Sequence, residues 1–176
     1  PLTRDDVLAR AVALIRKDHP EATIHVNTNG SRPQVLQRLI DAGCNSVRIS
    51  AISFTDPVFR AYSRPVGYSI DDVLECGRVM SRSGGQVCLN LLTFPGLTDS
   101  SAELDRTAAA VADMGAHQIQ WRSLNCDHDW LVDVLTARGL LPEDGIGLGS
   151  AYQHLVERLL GVTHGNFTRP VAMALD

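Results

Sequence analysis

The sequence has little with which to hold a metal. Its 176 residues include four cysteines, Cys44, Cys76, Cys88 and Cys126. No two stand close enough to form a CxxC or CxxxCxxC ligand loop. Cys126, Asp127, His128 and Asp129 cluster, but no second ligand pair is spaced to complete a zinc site, so no metal site is expected. An even cysteine count admits two disulfides. An α/β chain with enough core to stand without staples points instead to reduced thiols and a cytoplasmic protein. Lys17 is the only lysine and falls in a helical pattern, which leaves a Schiff-base barrel enzyme of the aldolase type poorly furnished. There is no GxSxG elbow for a Ser–His–Asp hydrolase. There is no GxGxxG fingerprint or P-loop either, and the glycine-rich stretch at 145–149 follows a helical pattern, where a connector is expected. The net charge of −4 is spread along the chain. No basic block suggests nucleic acid, and no apolar run is long enough to span a bilayer. No signal-peptide pattern follows Pro1. No linker or low-complexity stretch divides residues 1–176, so one domain is expected. The missing initiator Met reads as a fragment.

What the chain does have is alternation. Four β-prone runs stand at residues 23–28 (TIHVNT), 46–52 (SVRISAI), 86–92 (QVCLNLL) and 117–122 (HQIQWR). All are rich in Val or Ile and bounded by turn formers. Helical patterns separate them. Thr3 with Asp6 reads as a cap for a helix burying Val7, Leu8, Ala11, Leu14 and Ile15. Ser31 and Pro33 open a second helix that buries Leu36, Leu39 and Ile40 and stops at Gly43. Ser69 and Asp72 open a third, through Val73, Leu74 and Val79 to Gly84. Ser100 with Glu103 opens a fourth, burying Leu104, Ala108, Val111 and Met114 up to Gly115. Weaker helices follow near 130–138 and 152–160. Alternation of this kind predicts a parallel sheet with right-handed crossovers. Four strands are too few for an eight-stranded barrel, so the fold class is α/β: an open sheet or part of a (βα) barrel.

Chemistry in parallel α/β folds gathers at the carboxyl ends of the strands. Here those ends are unusually polar: Thr28 and Asn29, Ser50, Asn90, then Gln120, Arg122 and Asn125. Asn29–Gly30 is a turn signal in any fold, whereas Thr28 and Asn29 can also bond a ligand. Ser50 and Asn90 lie inside apolar strands, where a hydroxyl or amide needs a partner. Arg64 precedes Pro65 in a loop with Tyr62, Ser63 and Tyr68, and its guanidinium fork suits a carboxylate. Asp99 reads as a helix cap.

Taken in order, VNTNG, SRP, DAGCNSVRIS, YSRPVGY, LNLLTFPGLTD and IQWRSLN resemble the radical S-adenosylmethionine (SAM) superfamily. The nearest branch in appearance is that of pyruvate formate-lyase activating enzymes. The resemblance runs from Pro1 to about Asn125, with HGNFTRP a weaker match to that branch's closing segment. It implies four parallel strands of a partial (βα)6 TIM-like barrel with flanking helices. It implies SAM as cofactor, reductively cleaved at a [4Fe–4S] cluster, and hydrogen abstraction from a small-molecule or protein substrate that the sequence does not name. Ser50 would then lie near the SAM ribose or methionyl group and Arg64 at its carboxylate. Gln120, Arg122 and Asn125 would lie near the adenine. The family's CxxxCxxC and GGE motifs are not in the sequence. Pro1–Leu2 resemble the pair that follows the GGE glutamate, which implies a missing N-terminal segment of the same domain. The alternative is a non-catalytic half that binds a partner supplying the cluster, with an open sheet edge as the docking site.

Overall fold

The computed structural model describes residues 4–140, 145–166 and 170–171. In chain order the elements are α1 (Asp5–Asp18), β1 (His25–Thr28), α2 (Pro33–Asp41), β2 (Ser46–Ala51), α3 (Asp56–Ser63), α4 (Ile70–Arg82), β3 (Gln86–Thr93), α5 (Ser101–Asp113), β4 (Gln118–Ser123), α6 (His128–Thr136), α7 (Leu148–Arg158) and β5 (Thr163–His164). The strands form one sheet in the order β1-β2-β3-β4-β5, with every pairing parallel. The expected α/β architecture is therefore present, with five strands among the described residues rather than four. The fifth is only two residues long, too short for periodicity to announce it.

Alternation gives the sheet two unlike faces. One face carries Val47, Ile49, Ala51, Val87, Leu89, Leu91 and Ile119, all buried. They form one core with Leu36 and Leu39 of α2, Val73, Cys76 and Met80 of α4, and Leu104, Ala108 and Val111 of α5. The opposite face is polar. A second, smaller core joins Val58 and Ala61 of α3 to Leu131 and Leu135 of α6, with Ile52, Leu92, Phe94 and Leu97 at the strand ends. This core holds two helices over the carboxyl rim of the sheet.

The helix starts follow their sequence signals in part. Ser69 and Asp72 make a reciprocal capping box on α4, and the Ser100 hydroxyl accepts from Glu103 N–H at the start of α5. Pro33 stands at the first turn of α2, preceded by Arg32 with no side-chain cap. The cap assigned to Thr3 lies outside the described residues.

Four expectations need correcting. In α1 only Val12 is fully buried, whereas Val7, Leu14 and Ile15 are about half exposed. The helix packs mainly on α2, so its apolar stripe is only partly covered. Asp99 is no cap: buried, it accepts from Gly96 N–H and, at 2.9 Å, from Gly147 N–H. It thereby ties the glycine-rich connector to the turn after β3. That connector also ends early, because Gly149 is inside α7. Finally, α3 has no counterpart in the expected pattern, since its eight residues are too few to display helical periodicity.

Candidate functional site

The site begins with register. Ser50, Asn90 and Gln120 are direct neighbours across β2, β3 and β4, so alternation places all three on the polar face. Asn90 Nδ2 donates to Ser50 Oγ at 3.0 Å. Asn90 Oδ1 is buried and accepts no hydrogen bond, which leaves an amide oxygen ready for a donor from a ligand. Above this pair opens a cleft of about 420 Å³, lined by Asn29, Ser50, Asn90 and Asn125 and walled by Tyr62, Tyr68 and Trp130. Asn29 lies beside Tyr68, its Nδ2 donating to the phenol oxygen at 3.4 Å. Across the cleft the Tyr62 hydroxyl donates to Asn125 Oδ1 at 3.3 Å.

Arg64 stands at the mouth. It closes α3 in the left-handed conformation (φ 44°), the only described residue other than glycine at positive φ. Such a conformation is strained for a residue with a Cβ. Its guanidinium carbon lies 4.9 Å from the centre of the Trp130 ring, a cation–π contact that aims the side chain across the rim. The loop before α3 is fixed from below. Glu103, buried in the first turn of α5, accepts from Phe54 N–H at 2.7 Å, Thr55 Oγ at 2.7 Å and Ser53 Oγ at 3.0 Å. A carboxylate with three donors is well satisfied despite burial, and it pins the path from β2 into α3.

The remaining expected residues lie elsewhere. Thr28 points to the helix-covered side, where its hydroxyl accepts from Gly30 N–H at 3.1 Å. Gly30 itself turns the chain at φ 72°, where an added Cβ would meet Val73 Cα at 3.0 Å. Gln120 and Arg122 line a separate recess of about 470 Å³ with Trp121, Ser123 and Asn166, and Gln120 Nε2 donates to Asn166 O at 2.9 Å. The structure thus brings together Asn29, Ser50, Asn90 and Asn125, with Arg64 adjacent. It sets Gln120 and Arg122 to one side and turns Thr28 away. Tyr62, Tyr68 and Trp130 escaped sequence reasoning as wall residues. YSRP was a signal for the tyrosines, but Trp130 reaches the cleft only because α6 packs on α3.

The titratable groups in the cleft favour holding over proton transfer. Burial pushes the Tyr62 and Tyr68 phenols up, and burial plus the charge of Asp127 pushes up the Cys126 thiol. All three stay neutral near pH 7 and act as hydrogen-bonding or apolar surface. Asp127 caps α6 by accepting from Trp130 N–H at 2.8 Å. Among the described residues no group of three His, Cys, Asp or Glu side chains could hold a metal ion. All four cysteines are free thiols; Cys44, Cys76 and Cys88 are buried at separate places. They do not fit an iron–sulfur cluster. Lys17 is exposed in the last turn of α1, remote in sequence and fold from the rim. No helix among the described residues is long and apolar enough to cross a membrane.

Comparison with known proteins gives two kinds of match. The family model of the radical SAM superfamily matches residues 1–108. Among solved structures, methylornithine synthase (PylB) aligns over 90% of this chain and 51% of its own, at 12% identity and a TM-score of 0.53. The radical SAM methyltransferase TsrM from Kitasatospora setae, with cobalamin and a [4Fe–4S] cluster bound, aligns over 68% of this chain and 23% of its own, at 15% identity and a TM-score of 0.50. The chain thus spans about half the length of the first structure and a quarter of the second; at these identities the likeness is one of fold. No curated protein matches the chain in sequence.

Proposed function

The chain belongs to the radical SAM superfamily, and from that premise we propose that its rim cleft binds SAM, within an enzyme that cleaves SAM reductively and abstracts hydrogen from a substrate. The observation that carries the reading is the Ser50–Asn90 pair, with its unused Asn90 Oδ1, at the floor of a neutral aromatic cleft.

The residues suit the ligand group by group. A ribose offers hydroxyl donors, which Asn90 Oδ1 and Ser50 Oγ can accept. A sulfonium is a soft cation, and the faces of Tyr62, Tyr68 and Trp130 attract cations. The cleft lining holds no carboxylate to compete for it. The SAM carboxylate calls for a cation at the edge rather than the floor, and Arg64 is the cation there. Asn29 and Asn125 offer further amide contacts on either side. Thr28, Gln120 and Arg122 act in this reading through the turn and the neighbouring recess.

Bound SAM supplies, on one-electron reduction, the hydrogen-abstracting chemistry of the superfamily. This chain's residues bind and orient it, and Tyr62, Tyr68 and Cys126, neutral near pH 7, serve as hydrogen-bonding and apolar surface. A cluster, which the four cysteines do not fit, would be held by other residues. That same misfit favours a second reading, in which the chain pairs through a sheet edge with a partner that brings the cluster. The test of the binding claim is calorimetric titration of the chain with SAM. We expect saturable binding that weakens roughly tenfold or more in Arg64→Ala, the range for losing a charge-assisted hydrogen bond. Unchanged affinity in Arg64→Ala and Asn90→Ala together would refute the proposed site.

A further inference from the structure

Two hollows open at the carboxyl rim, and they have no lining residue in common. The cleft assigned to SAM reaches as far as Asn90 and Leu92 of β3. The second recess, of about 470 Å³, begins on the next strand with Gln120, Trp121, Arg122 and Ser123 and is completed by Asn166. Register sets Gln120 beside Asn90 and Arg122 beside Leu92. The backbones that line the two hollows therefore stand one strand spacing apart, about 4.8 Å. The second recess is fixed from both sides. Gln120 Nε2 donates to Asn166 O at 2.9 Å, and Trp121 Nε1 donates to His164 Nδ1 at 3.0 Å. Thr93 Oγ1 donates to Arg122 O at 3.0 Å, which holds the Arg122 backbone at the rim.

The Arg122 side chain is held by nothing comparable. It is exposed at the recess, and among the described residues its guanidinium has no ion pair and no hydrogen-bond partner. Other arginines are matched: Arg60, Arg78, Arg82 and Arg158 each face a carboxylate. No Asp or Glu lines this recess, and Arg122 is the one cation among the described residues that do. A guanidinium presents parallel N–H donors that fit the two oxygens of a carboxylate. The Ser123 hydroxyl and the Asn166 amide add neutral donors beside it. A single cation matches a single negative charge, so a carboxylate suits the recess better than a phosphate monoester, which carries nearly two charges at pH 7.

We propose that this recess holds the carboxylate of the substrate, with Arg122 as its counter-ion and the rest of the molecule passing over Leu92 toward the SAM cleft. This deepens the SAM reading and rests on it, since a molecule held there is a substrate only if SAM occupies the neighbouring cleft. The probes are butyrate and its uncharged counterpart butyramide, titrated into the chain and followed by the arginine Nε–H resonances in NMR, with SAM titrated separately by calorimetry. Butyrate should bind at least tenfold more tightly than butyramide, the scale of a charge-assisted contact, and should shift the resonance that disappears in Arg122→Gln. Arg122→Gln should remove butyrate's advantage. Arg106→Gln, on the exposed side of α5, changes the net charge equally and should leave that advantage in place. Equal affinity for the two probes, butyrate binding that survives Arg122→Gln, or an equal loss in Arg106→Gln overturns the assignment. A tenfold loss of SAM affinity in Arg122→Gln would put Arg122 on the cofactor and overturn it as well. Should Arg122→Gln fail to fold, Arg122→Lys replaces it and should keep a weakened preference for butyrate, whereas an undiminished one overturns the two-oxygen contact. Failure of SAM to bind the unaltered chain, with the butyrate preference intact and dependent on Arg122, rejects the cofactor reading and upholds the carboxylate site.

Discussion

The two faces of this sheet are made from the same strands, yet they do opposite work. The helix-covered face is Val, Ile and Leu, shut from water by α2, α4 and α5. The other is Ser, Asn, Gln, His and Arg, tied by side-chain hydrogen bonds in rows that cross the strands. Burial of apolar area, at about 25 cal/mol per Å², makes the first face the source of stability. The second contributes little of that kind, and its polar groups are left to recognition. A fold can therefore keep its core and change its ligand by altering alternate residues only.

Substitutions on the two faces should separate stability from binding. The largest effect is expected from Leu89→Ala, in the centre of the apolar face and fully buried. It should cost about 2–5 kcal/mol in urea denaturation without a selective loss of SAM affinity. A cost under about 1 kcal/mol would break the contrast. Next comes Glu103→Leu, which strands the Phe54 N–H and the Ser53 and Thr55 hydroxyls. About 3 kcal/mol of stability should be lost, the scale for orphaned groups around a buried charged acceptor, and SAM binding should weaken too, because the loop leading to α3 loosens. Intact binding in a folded variant would show that the β2–α3 loop does not position the cleft.

Smaller effects belong to the polar face. Asn90→Ala should weaken SAM binding roughly three- to tenfold, as for the loss of one hydrogen bond, while changing stability by no more than about 1 kcal/mol. A larger stability loss than binding loss would make Asn90 a core residue. The mildest test is pH. The folded state holds His25 and His164 below their usual value of 6.5, His25 by burial and the Arg48 charge and His164 by burial. Between the lowered folded value and 6.5 the unfolded chain binds more protons, so stability rises with pH across that window. Melting temperature should therefore be level above about pH 6.5 and fall as pH drops below it. His164→Phe should flatten part of that fall, and an unchanged slope would show that His164 is not titrating at the buried site.

Much of the fold was legible because its signals are local. The strands β2, β3 and β4 start and end within about two residues of the expected runs, and Ser69 and Ser100 cap the helices they were expected to open. Where the signal is not local, legibility stops. α3 is too short to show a period, and β5 pairs only because the chain returns to the β4 edge. Val7 and Leu14 read as core but are exposed, because helical periodicity tells which face of α1 is apolar and not how much of that face a neighbour covers. The site divides in the same way. Ser50 and Asn90 stood out as polar residues in apolar strands, but that they pair with each other depends on the register that sets β2 beside β3.

The sequence by itself determined the alternation of strands and helices and the family to which the chain belongs, because residue period and short motifs are properties of neighbours along the chain. Only the tertiary structure decided that Ser50 accepts a hydrogen bond from Asn90, that Trp130 and Arg64 share the cleft mouth, and that one face of the sheet is polar below its carboxyl rim. Those facts arise from strand register and from the packing of α3 on α6. Both join residues far apart in the chain, Ser50 and Asn90 by 40 positions, across distances that no local pattern can encode.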